Sequence, residues 1–201
     1  MLHYHGIHET CELEQTSFVS GTQIRAAAAL AANNSVDFRR GIVYGSYNQY
    51  DKVESTGDIV VYDVEKKRVL VGRKPAEDGY RLPGGFIQPG ETHDAGARRE
   101  LREEAGSFEV DTLEYVGSYV IDDWRYRNEA NKITTILYLA PYLFGPIEAG
   151  DDLSEVKWVT LQQLQGMLDG SGSPALGTIE DTHQALLIAA VDYINKTQRG
   201  L

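Results

Sequence analysis

Hydrophobic and polar residues alternate through the middle of the chain in short runs that predict β-strands. These runs are rich in β-branched and aromatic residues, which fit a pleated surface, and turn residues separate them. The predicted strands cover residues 59–63, 68–73, 115–121, 132–143 and 156–159. A Glu-Lys-Lys turn lies between the first two.

Helix-forming composition and helical spacing predict helices before, within and after this strand-rich region. The predicted helices are residues 22–32, 92–105, 161–168 and 179–197. Gly106 stands where a helix commonly ends. In the last helix, the expected apolar face carries Ala185, Ile188, Ala189 and Val191. Strands enclosed by helices indicate an α/β fold with a mixed sheet between helices.

Length and charge narrow the class of protein. The 201 residues suffice for one domain with a real core plus an appended segment. A net charge of -11 repels phosphate backbones, so nucleic acid is a poor partner. The chain has no apolar run long enough for a membrane span, and we expect no secretory signal in residues 1–15. Cys11 is the single cysteine, which favours a reducing, cytoplasmic location.

Candidate chemistry is concentrated in the central predicted helix. Glu100, Glu103 and Glu104 stand at positions i, i+3 and i+4, so their carboxylates share one helix face. An apolar line formed by Ala97, Leu101 and Ala105 lies beside them and can pack on a sheet. Three carboxylates suit Mg²⁺, which prefers oxygen ligands, although a solvated acidic face would show the same spacing.

The loop before this helix favours the metal-site interpretation. Residues 82–90 form a predicted Pro/Gly-rich loop, and its Gly84-Gly85 pair allows close backbone approach to a ligand. From Gly85 the pattern is Gly, five residues, Glu91, seven residues, then Arg-Glu-Leu-x-Glu-Glu-x-Gly ending at Gly106. This pattern resembles the signature of the Nudix hydrolase family. Ser107 departs from it, because the family usually has an aliphatic residue there.

The resemblance implies an α/β/α sandwich around a mixed sheet, and roles for the matching positions. Glu100, Glu103 and Glu104 would bind Mg²⁺, for which Mn²⁺ could substitute, and the Gly84 carbonyl would be a further ligand. Water would attack phosphorus in a diphosphate linkage. The residues expected to serve catalysis are Glu91, Arg99, Glu100 and Glu103. Glu91 would support Glu100 or a metal-bound water, and Arg99 would pair with the carboxylates, Glu103 included by helical spacing.

Two flanking segments narrow the substrate by resemblance. Residues 20–25 resemble the Ser-x-Thr-x-x-Arg motif of nicotinamide mononucleotide (NMN) adenylyltransferases. Residues 122–127, 132–135, 149–152 and 156–158 resemble the Nudix part of bifunctional NMN adenylyltransferase/Nudix enzymes, which typically converts ADP-ribose to AMP and ribose 5-phosphate. We therefore expect residues 1–50 to match the end of an adenylyltransferase domain and residues 51–201 to form the Nudix domain.

Other features of these segments leave alternatives open. An ordinary helix N-terminus also explains residues 20–25, and we expect no adenylyltransferase activity because the nucleotide-binding half of that enzyme is missing. The expected substrate-binding residues are Phe86, Trp124, Arg125 and Arg127, although packing would also account for the aromatic ones. A general base outside the helix could be Asp151, Asp152 or Glu155, or these could simply form a solvated loop.

The predicted function is hydrolysis of a small nucleotide substrate, ADP-ribose first. Dinucleoside polyphosphates and NAD-type dinucleotides are alternative substrates, and a non-catalytic ADP-ribose sensor is the alternative from another class. A third alternative is that the chain is an inactive accessory domain. The resemblance also predicts a homodimer formed through the N-terminal segment.

Overall fold

The computed structural model describes residues 20–32, 35–47, 49–75 and 77–199. The chain divides into two compact units, residues 1–50 and 51–201. In the first unit, helices α1 (Gly21–Ala32) and α2 (Val36–Tyr47) are described. The helix predicted at 22–32 is confirmed, and the aromatic-rich segment 38–50 is helical as far as Tyr47. The polar stretch 1–18 lies outside the described residues.

The second unit contains nine strands and three further α-helices among its described residues. In chain order they are β1 (Val53–Asp63), β2 (Arg68–Arg73), β3 (Gly79–Tyr80), β4 (Gly84–Phe86), α3 (His93–Ala105), β5 (Glu109–Val110), β6 (Glu114–Ile121), β7 (Lys132–Phe144), β8 (Glu155–Thr160), α4 (Leu161–Asp169), β9 (Thr178–Ile179) and α5 (Asp181–Arg199). None of the helices in the described segments is long and apolar enough to cross a membrane.

A seven-stranded mixed sheet is the framework of this unit. Its path is β5-β7-β1-β2-β8, and β4 and β6 join it by pairing with β1 and β7. The two longest strands, β1 and β7, run parallel from Val53↔Lys132 to Tyr62↔Pro141, and the other pairings in this sheet are antiparallel. A separate parallel pair joins β3 to β9. The mixed sheet predicted from the strand pattern is confirmed.

Alternation along β1 divides the core into two layers. Ile59 and Val61 pack with α3 on one face, whereas Val60 and Tyr62 pack with α4 and α5 on the other. All four side chains are buried, because helices cover both faces of the strand. The architecture is therefore an α/β/α sandwich around a mixed sheet, as predicted.

The buried face of α5 differs from the predicted one. Leu186, Leu187, Ala190 and Ile194 are buried, whereas Ala185 and Ile188 are exposed. The predicted face is therefore wrong at Ala185 and Ile188, whereas Ala189 and Val191 are partly buried and pack against the core. The other three buried residues lie one, four and eight positions after Leu186, which follows the helical repeat more closely than the predicted spacing does.

The loop predicted over residues 82–90 is interrupted by β4. Gly84, Gly85 and Phe86 pair antiparallel with Asp58, Gly57 and Thr56 of β1. Glycines are poor strand formers, so local sequence favours a loop here. Pairing with a strand distant in sequence overrides that preference and joins the glycine turn to the sheet.

Candidate active site

Helix α3 holds the acidic residues against the sheet. Ala97, Leu101 and Ala105 are buried along one line of the helix and pack in the layer of Ile59 and Val61. The helix ends at Gly106, whose φ of 95° lies in the region that favours glycine. The apolar line sets the rotation of the helix, and this determines where the neighbouring carboxylates point.

Two of these carboxylates lie directly against the Gly84-Gly85 turn. The Gly84 N–H donates to Glu104 Oε2 at 2.9 Å. A Cβ added to Gly85 would lie 2.6 Å from Glu100 Oε2, which no side chain could occupy without displacing that carboxylate. The glycines therefore let the backbone of β4 approach both glutamates.

Arg99 links the rest of the acidic cluster. Its guanidinium donates from Nε and Nη2 to both oxygens of Glu91, at 2.8 and 3.0 Å. Nη1 donates to Glu100 at 2.7 Å and to Glu103 at 2.9 Å, and Nη2 also donates to the Phe86 carbonyl. Hydrogen bonds from Arg99 lower the pKa of Glu91 to about 2. Glu91 thus contacts Arg99, and the Arg99–Glu103 ion pair has the predicted helical spacing.

The three glutamates predicted to bind metal do not occupy equivalent positions. Glu100 and Glu104 line a cavity, whereas the Glu103 side chain is 47% exposed and bonded to Arg99. Within the described segments, no group of three or more His, Cys, Asp or Glu side chains is arranged to hold a metal ion. Glu100 accepts from the same Arg99 Nη1, so one nitrogen links Glu103 to a carboxylate of the cavity.

The cavity carboxylates nevertheless have the chemistry that a hard cation requires. Glu104 is buried, and its desolvation raises its pKa to about 7, with Glu100 and Asp58 adding repulsion. A divalent cation between these oxygens would offset both effects. Glu100 and Glu104 therefore fit Mg²⁺.

The cavity has a volume of about 220 Å³ and draws residues from distant parts of the sequence. Strand β1, the β3–β4 connection, α3, the β6–β7 connection, the loop before β8 and the start of α5 all contribute. Its charged and polar lining consists of Thr56, Asp58, Lys74, Arg81, Glu100, Glu104, Asp123, Arg125, Asp151, Asp152, Thr182 and His183. A ligand here would contact cations as well as carboxylates.

Two of the cations in this lining are held by carboxylates of the same lining. Arg125 donates from Nε and Nη2 to Asp123 at 2.9 and 2.7 Å, and Lys74 lies 2.7 Å from Asp152. The Arg125 guanidinium also lies over the Phe86 ring, 5.5 Å from its centroid. Phe86 and Arg125, both predicted to bind substrate, therefore meet at this cavity.

The other two predicted substrate-binding residues lie outside the cavity lining. Trp124 is 77% exposed, and the Arg127 guanidinium pairs with Asp122 at 3.0 Å. The predicted base candidates are divided in the same way. Asp151 and Asp152 line the cavity, whereas Glu155 accepts hydrogen bonds from Arg73 and Tyr80 outside the lining.

Sequence patterns missed several residues of the lining. Asp58 is buried, accepts a hydrogen bond from the Thr135 hydroxyl, and has its pKa raised to about 6, mainly by burial. His183 is also largely buried, and its Nδ1 lies 3.9 Å from Asp58 Oδ1. Its burial lowers its pKa to about 3, and its Nδ1 accepts from the Leu82 N–H at 3.3 Å. One available signal was an aspartate directly before the apolar run of β1.

Comparison with known proteins gives a family match over most of the second unit. The model described as NUDIX domain matches residues 55–178. That segment includes the whole of α3 and the Gly84-Gly85 turn.

Curated relatives match at moderate identity and over part of their length. An ADP-ribose pyrophosphatase of Methanocaldococcus jannaschii is 31% identical over 107 residues, which cover 52% of this chain and 60% of that protein. The NAD-capped RNA hydrolase NudC of Vibrio vulnificus is 28% identical over 127 residues, which cover 62% of this chain and 45% of that protein. The chain thus spans about half of each relative.

A solved structure shares the fold. A MutT/nudix family protein from Enterococcus faecalis superposes with a TM-score of 0.57 and 24% sequence identity, covering 90% of this chain and 76% of that one. At this identity the likeness shows the architecture alone.

Proposed function

Because the chain belongs to the NUDIX domain family, we propose that it is a magnesium-dependent pyrophosphohydrolase that cleaves ADP-ribose to AMP and ribose 5-phosphate. The observation that carries this proposal is the cavity in which Glu100 and Glu104 share a lining with Lys74, Arg81 and Arg125. Carboxylates suited to a metal lie beside cations suited to phosphate, which is the arrangement that diphosphate hydrolysis needs.

The acidic net charge is consistent with this proposal, because the carboxylates would bind the cation and the cation would bind the anionic substrate. Glu100, Glu103 and Glu104 would hold Mg²⁺, with the Gly84 carbonyl as a further ligand. When bound, the ion supplies polarisation of a phosphoryl oxygen and a lower pKa for the attacking water. Arg99 keeps the acidic residues of α3 in place, and Asp151 or Asp152 can accept a proton at the cavity.

Two findings favour ADP-ribose among diphosphate substrates. Residues 122–127, which resemble the Nudix part of the bifunctional enzymes, form the loop that brings Arg125 to the cavity. The 31% identical relative is an ADP-ribose pyrophosphatase. An NAD-type dinucleotide is the second candidate, because another relative is an NAD-capped RNA hydrolase.

The first prediction concerns substrate choice. With Mg²⁺, we expect ADP-ribose to give the highest kcat/KM in a panel that also contains NAD⁺, NADH, a dinucleoside tetraphosphate and oxidised dGTP. Chromatography should identify AMP and ribose 5-phosphate, and EDTA should stop the reaction. Strong turnover of another panel member with none of ADP-ribose would contradict the substrate assignment. Specific DNA binding in a gel shift, without turnover, would favour a sensor.

The second prediction separates two neighbouring arginines. Arg125→Ala removes a guanidinium from the cavity, so we expect the KM for ADP-ribose to rise about tenfold, the usual effect of one charge-assisted hydrogen bond. Arg127→Ala should raise KM less, because Arg127 lies outside the lining. Steady-state kinetics of both variants makes the comparison. A larger effect at Arg127 would place the substrate outside this cavity.

Three further properties are part of the proposal. We assign residues 1–50 as a segment related to the end of an adenylyltransferase domain, the protein as a homodimer, and its location as the cytoplasm. Size-exclusion chromatography with light scattering, repeated after removal of residues 1–50, tests whether that segment forms the dimer.

A further inference from the structure

Arg81 differs from the other cations of the cavity in how it is held. Its backbone is attached to β2, because its N–H donates to the Gly72 carbonyl at 2.8 Å and its carbonyl accepts from the Gly72 N–H at 2.9 Å. Its side chain lines the cavity but is only 18% exposed. These backbone hydrogen bonds fix the Cα of Arg81 next to the cavity.

The guanidinium of Arg81 has unused hydrogen-bonding capacity. Nη2 pairs with Glu77, which is not among the lining residues. Nε is buried and has no hydrogen-bond partner in the described part of the chain. An arginine has five N–H donors, and a buried donor without an acceptor is costly. Such a group calls for an acceptor that the described chain does not supply.

Charge pairing within the lining also leaves Arg81 available to bind an anionic ligand. Arg125 is neutralised by Asp123, and Lys74 is neutralised by Asp152. Arg81 interacts electrostatically with Asp58, Asp123 and Asp152, but its direct ion pair is with Glu77. Among the described residues of the lining, Lys74 and Arg125 each form an ion pair with a lining carboxylate, and Arg81 does not.

We infer that Arg81 is a substrate-binding residue that contacts one of the two phosphates of the diphosphate substrate. The planar fork of a guanidinium matches phosphate oxygens, and Glu77 holds that fork in position before the substrate arrives. A phosphate in the cavity would accept hydrogen bonds from the guanidinium donors that Glu77 leaves free, and it would share the cavity with Glu100 and Glu104. The inference rests on the proposed diphosphate hydrolysis, and it identifies a residue outside the acidic helix pattern.

The test compares Arg81→Gln and Arg81→Lys with wild type and with Arg73→Gln. Arg73 is a matched control, because it also pairs with a glutamate, Glu155, but lies outside the lining. Steady-state kinetics measures kcat and KM for ADP-ribose. Calorimetry in EDTA measures the affinities for AMP, ribose 5-phosphate and adenosine, which separates phosphate binding from binding of the base and sugar.

We expect Arg81→Gln to raise KM at least about tenfold and to weaken AMP or ribose 5-phosphate binding by a similar factor, with adenosine affinity unchanged. Arg81→Lys should recover part of the loss, since it keeps the charge but not the fork. Arg73→Gln should behave like wild type. If Arg81→Gln does not fold, Arg81→Lys alone provides the test, through the ratio of its AMP affinity to its adenosine affinity relative to wild type.

Unchanged KM and phosphate affinities in both variants would overturn the inference, as would equal losses for AMP and adenosine, which indicate a structural role. The proposed function can fail separately. If wild type cleaves another diphosphate but not ADP-ribose, the Arg81 variants are scored on KM for that substrate. If wild type cleaves none, the AMP-to-adenosine comparison decides whether Arg81 binds phosphate.

Discussion

Glu104→Gln should lower kcat/KM for ADP-ribose by at least about 100-fold while the protein remains folded. The amide keeps the volume of the side chain and can still accept the Gly84 hydrogen bond, so the packing of α3 is preserved. It lacks the negative charge that a divalent cation needs. Kinetics over a range of Mg²⁺ concentrations should show a higher requirement for the metal.

The same substitution should stabilise the metal-free protein at neutral and higher pH. Desolvation raises the pKa of Glu104 from 4.5 to about 7 in the folded state. The folded protein therefore binds the proton more tightly than the unfolded chain, and stability falls as pH rises from about 4.5 through 7. A glutamine has no such cost, so in EDTA at about pH 8 the variant should gain up to about 3 kcal/mol.

Urea unfolding between pH 4 and 8 measures this difference in the free energy of unfolding. The gain should vanish at the acidic end, where Glu104 is protonated in both states. Glu65→Gln, an exposed change in the β1–β2 turn, should alter neither activity nor stability. Full activity of Glu104→Gln would overturn the assignment of Glu104 to the metal.

Arg99→Gln should reduce both activity and stability. The substitution leaves Glu91, Glu100 and Glu103 without their shared partner and removes the bond to the Phe86 carbonyl. Because Arg99 is partly exposed, we expect a loss of about 2 kcal/mol in unfolding free energy, below the cost of breaking a fully buried pair. We expect kcat to fall about 100-fold, since Glu100 and Glu103 lose their positions.

The matched control for Arg99 is Arg102→Gln, an exposed arginine on the same helix. It should retain wild-type kcat and lie within about 0.5 kcal/mol of wild-type stability. Thermal and urea unfolding, together with kinetics, give both quantities. If Arg99→Gln keeps full kcat despite lower stability, Arg99 serves only to hold the helix.

Local sequence was sufficient where one element carries its own pattern. Residues 92–105 show both an apolar line and an acidic face, and the structure has α3 at His93–Ala105. Strand β2 matches the predicted residues 68–73, and the mixed sheet follows from strands enclosed by helices. The family signature lies in consecutive residues, so the type of chemistry was also accessible from sequence.

Tertiary contacts decided the rest. Pairing with β1 made Gly84–Phe86 a strand, and packing against the sheet selected Leu186, Leu187, Ala190 and Ile194 on α5. Helical spacing placed Glu103 with Glu100 and Glu104, but the cavity is lined by Glu100 and Glu104, whereas the Glu103 side chain is 47% exposed and bonded to Arg99.

The composition of the cavity was beyond local patterns for the same reason. Asp58, Arg81 and His183 come from a strand, a connection and a helix far apart in sequence, and only folding brings them together. The sequence by itself determined the acidic helix, its glycine turn and the family of the chain. The tertiary structure decided which charges share a cavity, because burial and ion pairing depend on neighbours that sequence distance does not reveal.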